Sequence, residues 1–467
     1  MTDIDKQTIS KLHKLLVKKT ISPRELLQET VKKAQDSEPK INAFREFTLD
    51  AALESARLAE NKFLAGHINS KVLGIPFSIK DNVDVKGAES CFGSLSKPVK
   101  PKESAPVAKS LFAAGGCLIG KTNMTEFGAK ASSDSPLSGI TSNPRNLDYT
   151  TGGSSAGAAA SVAAGVTSFA IGTDGGGSTR IPASFCGLVG FKPTFGLIPV
   201  HPPPIVGDLF HIGIIARTVD DILEVFKVVA DQHHSLRKTN RKPKLSLKPT
   251  TDSSINKKIF FFWSLSDEAP DAAVKNVIEK ALKICDAAGM NIVYSEPMLT
   301  CSLYEIFESK FLGGIAKKVS DVVNFNQFGD REIIKETERY KAQPKLSEKY
   351  VAAEIEKLEK FFSNFLQNMD LLMCPTVLHK PFLKSSSRPP GTETLGILEW
   401  PSNCILANLL GLPAVTIPCG TTSDGLPIGI QLISRRYEDI ELLSNAHALY
   451  ELLGRPCSAP AIVGQSN

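Results

Sequence analysis

This sequence predicts an α/β fold built on a largely covered sheet, and three observations carry the prediction. Short apolar runs alternate with helical stretches, as in Leu73–Ile79, Ser104–Ala114 and Cys117–Gly120, the order of strand–helix–strand units. Glycine turns punctuate those runs at Gly115-Gly116, Gly152-Gly153 and Gly175-Gly176-Gly177,. The composition, 42% hydrophobic and 22% charged over 467 residues, is that of a globular chain,. Such a length allows about three domains, but no repeat or low-complexity segment divides it.

Taken in order, residues 1–70 read as helical. Ile4, Ile9, Leu12, Leu15 and Leu16 form a helical stripe,. Ser22-Pro23-Arg24-Glu25 has the form of a capping box with proline at the first helical position,. A further helix covers Asp50–Leu64. After the strand-like run to Lys80, a helix over 104–114 and a strand from Cys117 lead to Asn123-Met124-Thr125-Glu126-Phe127-Gly128.

The stretch Thr150–Ser184 is dense in glycine, serine and alanine, yet its turns alternate with apolar segments, unlike a linker,. Ser154 or Ser155 is read as a helix N-cap, its hydroxyl satisfying a free N–H of the first turn. The alanine-rich body lets that helix lie close to its neighbours. Val166–Ile171 reads as a buried strand ending at the turn with Ser178, so both serine turns meet at one end of the unit. Successive glycine N–H groups there can converge on an oxyanion, or the turn can be an ordinary tight one whose glycines only supply positive φ.

Lys80 changes the balance between those alternatives. It ends the apolar run Leu73–Ile79, where burial disfavours the ammonium and leaves an amine able to act as a general base.

The blocks GIPFSIKDN, GGSSAGAAASVAAG and GTDGGGSTRIPASFCGLVGFKPT resemble the amidase signature family, and the likeness extends over nearly the whole chain. The resemblance implies one domain over 1–467, with a signature core over 74–220 and a mixed central β-sheet covered by helices on both faces. It implies hydrolysis of an amide to carboxylate and amine or ammonia through an acyl-serine intermediate. Matched residue by residue, Ser178 is the nucleophile, Ser154 the bridging serine, 24 positions earlier, and Lys80 the base. The oxyanion falls to the N–H groups of Gly175, Gly176 and Gly177, with Ser154 beside them. Asp174 and Arg180 brace the nucleophile loop, and Ser155 supports the bridge. The resemblance places Met124 and Phe127 near the acyl pocket.

The rest of the chain supplies scaffold and specificity. His201-Pro202-Pro203-Pro204 is a rigid loop expected to border the entrance. Strands are expected at Lys257–Trp263, Asn291–Tyr294, Leu371–Thr376, Ala414–Pro418 and Pro427–Ile433, and helices at Asp271–Ala288 and Glu438–Leu453. Residues 300–370 are mostly helical, charged and the least family-like, so the substrate pocket is expected there.

Three rival readings have sequence support. Gly153-Ser154-Ser155-Ala156-Gly157 fits the GxSxG elbow of an α/β-hydrolase with Ser155 as nucleophile, but Leu147–Thr151 makes a poor preceding strand. A second is the family's glutaminase subunit of a tRNA-dependent amidotransferase, which works in a complex. That protein carries an aspartate seven places before the asparagine of its Asn-Leu-Ala-Gly-Leu-Pro motif. Here the motif begins at Asn408 and the position holds Pro401, which favours a free amidase. The third is a catalytically dead binding module, against which all three triad positions speak.

The net charge of +5 is small and spread out, so no nucleic-acid partner is expected. The basic run Arg237–Lys248 and the polar Pro249–Asn256 read as an exposed loop, and His233-His234 as a polar one. Nine cysteines without a CxxC pair point to a reducing compartment. With no signal peptide or membrane-length apolar run, a cytoplasmic protein without stable membrane insertion is expected. No cofactor and no metal are expected, since the eight histidines show no HExxH spacing,. Aliphatic, aryl, peptide-terminal and fatty amides all fit these motifs, and a homodimer fits equally.

Overall fold

The computed structural model describes residues 6–231, 257–297, 299, 301–459 and 461. Ile4, His233-His234, the basic run Arg237–Lys248 and Pro249–Asn256 lie outside the described residues.

In chain order the strands are β1 Phe44–Phe47, β2 Pro76–Lys80, β3 Cys117–Thr122, β4 Asp134–Ser135, β5 Gly139–Ile140, β6 Ser142–Asn143 and β7 Asn146–Thr150. They continue as β8 Phe169–Asp174, β9 Val189–Lys192, β10 His211–Ala216, β11 Lys258–Phe261, β12 Asn291–Tyr294, β13 Leu371–Pro375, β14 Ala414–Thr421 and β15 Pro427–Ile433. Eleven of them form one sheet in the order β1-β3-β2-β8-β10-β9-β14-β15-β13-β11-β12. β2 runs parallel to both β3 and β8, and β11 parallel to β12 and β13. β10 is antiparallel to β8 and β9, so the sheet is mixed, as expected.

The two-residue period of the strands divides the core between the faces. Ile259, Phe261, Leu371 and Met373 join one cluster with Val274, Ile278 and Ala281 of the helix Ala272–Ala287. Phe260, Leu372 and Cys374 join another with Phe307 and Phe311 of the helix Leu303–Ser320. Strands apolar on both faces need cover on both, and helices supply it.

Local signals act as the sequence predicts. Ser22 Oγ accepts from the Glu25 N–H at 3.1 Å, and the Ser22 N–H donates to Glu25 Oε2 at 2.7 Å, capping the helix Pro23–Ile41. Region 300–370 is mostly helical, with Leu303–Ser320, Phe325–Phe328, Arg331–Ala342 and Glu348–Asn368.

Three expectations are corrected. The helical N-terminal segment contains a strand, β1, which pairs at the sheet edge with β3, Phe44 facing Thr122; four residues between helices carry almost no periodic signal. The stretch Leu147–Thr150 does extend, as part of β7, but it pairs with β6 in a separate two-stranded ribbon rather than leading into the sheet. Finally, β8 spans Phe169–Asp174 rather than beginning at Val166, because the N–H groups of Val166 and Thr167 still close the preceding helix on Ser161 O.

Candidate active site

Two parallel neighbours, β2 and β8, end side by side, with Ile79 facing Ile171. In open α/β sheets the carboxyl ends of parallel strands are where ligand crevices form. Here they deliver Lys80, the last residue of β2, and Thr173-Asp174, the last of β8. The helix Ala156–Ala163 starts at the same edge, so Ser154 and Ser155 arrive beside them.

Lys80 is fully buried. Its Nζ lies 2.7 Å from Ser154 Oγ and 2.8 Å from Thr173 Oγ1. Asn82 Nδ2 donates to the same threonine hydroxyl at 3.2 Å. Burial lowers the Lys80 ammonium to about 7, against the opposing pull of Asp174 and Asp81,. Lys121, Lys130 and Lys192 are buried too. Their amines are held by the Val83 carbonyl, by the Asp134 and Asp330 carboxylates, and by the Leu412 and Pro193 carbonyls. Lys121 also has the Ser90 hydroxyl at 3.5 Å, but Lys80 differs from all three in that hydroxyls, those of Ser154 and Thr173, take the place of a carbonyl or carboxylate partner.

The peptide between Gly153 and Ser154 is cis. A Cβ on Gly153 would stand 2.0 Å from the Ser132 carbonyl oxygen, so only glycine fits there. Ser155 occupies the N-cap position but makes no capping bond. Its Oγ instead lies 3.2 Å from Thr173 O and accepts from the Thr173 N–H at 3.3 Å, tying the serine turn to β8. That is a correction to the capping expectation: β8 runs close enough to offer a competing pair of backbone groups. It also bears on the GxSxG alternative, because Ser155 is fully buried.

Ser178 is half-buried and its carbonyl accepts from the Ser155 N–H at 3.2 Å. The turn before it is organised by Asp174. This carboxylate accepts from Gly177 N–H at 2.8 Å, Thr179 N–H at 3.2 Å, and Arg180 Nη2 and Nε at 2.8 and 3.0 Å. Burial works against the Asp174 charge, but the Arg180 guanidinium and the donated N–H groups outweigh it and hold the carboxyl well below its usual range,. Gly177 sits at φ +111°, a conformation natural to glycine.

The Gly177 N–H is therefore engaged, which corrects the reading of all three glycines as oxyanion donors. Gly175 and Gly176 remain.

Two residues that sequence reasoning missed complete the brace. Arg180 Nη1 donates to Gln431 Oε1 at 2.5 Å and Nη2 to Asn408 Oδ1 at 2.6 Å. Asn408 Nδ2 in turn donates to the Asp174 carbonyl at 2.9 Å. Thr173 was missed as well, although it stands inside the GTDGGGS block.

Ser154, Thr173, Gly175 and Ser178 share one cavity of about 230 Å³. Phe127 and His201, Pro202, Pro203 and Pro204 line it, the proline loop standing where the sequence predicts. Met124 is buried and is not in the wall. From region 300–370 the wall takes Phe311 and Lys318. Among the described residues no group of three or more His, Cys, Asp or Glu side chains is placed to hold a metal ion, and the nine cysteines are free thiols. Among the described residues no helix is long and apolar enough to cross a membrane.

Comparison with known proteins identifies the family. A family model described as Amidase matches residues 25–443. A glutamyl-tRNA(Gln) amidotransferase subunit from Nostoc sp. (strain PCC 7120) is 32% identical, with 97% of this chain and 99% of that protein covered. Among solved structures, 6-aminohexanoate cyclic dimer hydrolase superposes with a TM-score of 0.82 at 24% identity, covering 99% of this chain and all of that one. Native peptide amidase from Stenotrophomonas maltophilia gives 0.80 at 23% identity, covering 98% of this chain and 99% of that one. These two likenesses concern the fold, whereas the family match spans the site itself, and the chain belongs to the amidase signature family.

Proposed function

We propose that this chain hydrolyses a carboxylic amide through an acyl-Ser178 intermediate, with Ser154 as the proton bridge and Lys80 as the base. The observation that carries the reading is the 2.7 Å contact between a buried lysine and Ser154, at the floor of the cavity onto which Ser178 opens. A lysine lowered to about 7 is substantially neutral near neutral pH and can accept the Ser154 proton. Ser154 Oγ then takes the proton of Ser178 as Ser178 Oγ adds to the carbonyl carbon. The N–H groups of Gly175 and Gly176 receive the oxyanion. Collapse breaks the C–N bond, and the proton returns through Ser154 to the leaving amine. Water cleaves the ester by the reverse route. Asp174, Arg180 and Ser155 hold the two serine turns in register.

A fluorophosphonate mapped by mass spectrometry tests this reading. An adduct on Ser178 that disappears in Lys80→Ala supports it; an adduct on Ser155 overturns it.

The curated relatives speak for a second reading, in which this chemistry serves as the glutaminase of an amidotransferase. Two of them, each 32% identical over nearly the full length, are glutamyl-tRNA(Gln) amidotransferase subunits. The partner would then be other subunits rather than a second copy of this chain. Glutamine-dependent ammonia release that requires co-purifying subunits would establish it. The place expected to hold the glutamine-binding aspartate carries Pro401, buried at the start of the helix Ser402–Leu409.

A further inference from the structure

The wall of the Ser178 cavity is asymmetric in charge. Its body is apolar, with Val83, Phe92, Phe127, Ile205, Val206 and Phe311 among its lining. Among the described residues no aspartate or glutamate lines it, and Lys318 is the one lysine or arginine that does. Lys318 lies seven residues beyond Phe311 on the helix Leu303–Ser320, about two turns on, so both project from the same face. Its ammonium stands 5.8 Å from the centre of the Phe127 ring. Lys310 of the same helix is paired with Asp208 at 2.7 Å, whereas Lys318 meets no carboxylate among the described residues.

This half-buried cation has an aromatic face for a neighbour and no carboxylate as counter-charge among the described residues,. An anion entering the cavity would supply that charge, and a second cation would be repelled. Specificity of this kind comes as much from the repulsion as from the attraction. The volume sets a size: a cavity of 150 Å³ admits benzene, so about 230 Å³ suits roughly nine or ten heavy atoms.

We propose that the substrate of this site is a small amide with an apolar body and a carboxylate remote from the scissile carbonyl, received by Lys318. The proposal rests on the reading of Ser178 as the nucleophile. Free glutamine fits the site poorly, because its α-ammonium finds no carboxylate in the wall and meets the like charge of Lys318.

Protection of Ser178 from fluorophosphonate labelling tests the proposal without requiring turnover. The competitors are ω-carbamoyl carboxylates of five to eight carbons, the uncharged amides of the same chain lengths and the corresponding ω-amino amides. Glutamine, which is the five-carbon carboxylate with an added α-ammonium, completes the panel. In the wild-type protein the best carboxylate should halve the labelling rate at a concentration roughly tenfold to a hundredfold below its uncharged counterpart, the gain of one charge-assisted contact. The ω-amino amides should protect least. Each variant is compared with itself, with and without competitor, and Lys318→Glu should reverse the order. Equal protection by all three classes, no protection by any carboxylate, an order unchanged in Lys318→Glu, or better protection by glutamine than by its deamino analogue overturns the substrate class. The first three leave Ser178 as nucleophile, and the last favours the glutaminase. Absence of any label on Ser178 overturns both the substrate class and the nucleophile assignment.

Discussion

Lys80 Nζ and Ser154 Oγ lie 2.7 Å apart, Lys80 fully buried and Ser154 almost so, at the floor of the cavity that Ser178 shares. A hydroxyl this close to a buried amine has a proton acceptor on hand without a histidine. Removing the amine should therefore remove the chemistry while leaving the scaffold. Lys80→Ala is expected to lower kcat/KM by about 10²- to 10⁴-fold, the usual worth of a general base, with a far-ultraviolet circular dichroism spectrum like the wild type. Turnover within a factor of about two of wild type would exclude the role.

The same burial sets a pH dependence. Lys80 loses its proton near 7 in the folded protein and near 10.5 unfolded. The neutral, reactive amine thus accumulates as pH rises through 7, and kcat/KM should rise across that range and level off above it. Stability follows the same sign. Between about 7 and 10.5 the unfolded chain holds the extra proton, so unfolding becomes harder as pH increases. Thermal melts of wild type and Lys80→Met should show the difference between the two drifting in favour of wild type over that window. A constant difference would mean that Lys80 is not held neutral.

Asp174 and Arg180 form a buried ion pair at 2.8 Å with neither side chain exposed. Asp174→Asn would leave the guanidinium without a counter-charge. The expected cost is roughly 3–5 kcal/mol, read as a lower urea midpoint. A variant as stable as wild type would show that Gln431 and Asn408 alone satisfy the guanidinium.

At Gly176 an added Cβ would stand 2.6 Å from the Phe307 ring. Gly176→Ala must therefore displace either the Phe307 ring or the turn that carries the Gly175 and Gly176 N–H groups, and the packed ring, stacked on Phe311, passes the strain to the turn. Loss of one oxyanion donor costs about 10²- to 10³-fold in kcat, and a decrease of that order is expected without loss of the folded state. An unchanged kcat would place the oxyanion elsewhere.

Ser22 offers a contrast far from the chemistry. Ser22→Ala removes the reciprocal bond with Glu25 and should lower stability by about 1 kcal/mol, with kcat/KM unaffected. Denaturation and steady-state assays on one preparation separate the two effects.

What the sequence by itself determined is what depends on a few neighbouring residues. The capping box at Ser22, the apolar run ending in Lys80, the turns before Ser154 and Ser178, and the strand Pro427–Ile433 are all legible because backbone conformation and period are encoded locally. Tertiary structure decided what depends on strand order and on approach across the sheet. Gln431 reaches Arg180 from 251 positions away, because the helix Arg180–Cys186 packs against β15. β1 became a strand because the edge of β3 offered free hydrogen-bonding groups to a segment with almost no periodicity of its own. Ser155 turned from capping its helix to the backbone of Thr173, and the Gly177 N–H turned to the Asp174 carboxylate. Such choices are competitions between hydrogen-bond partners, and only the folded chain sets which partner is within reach.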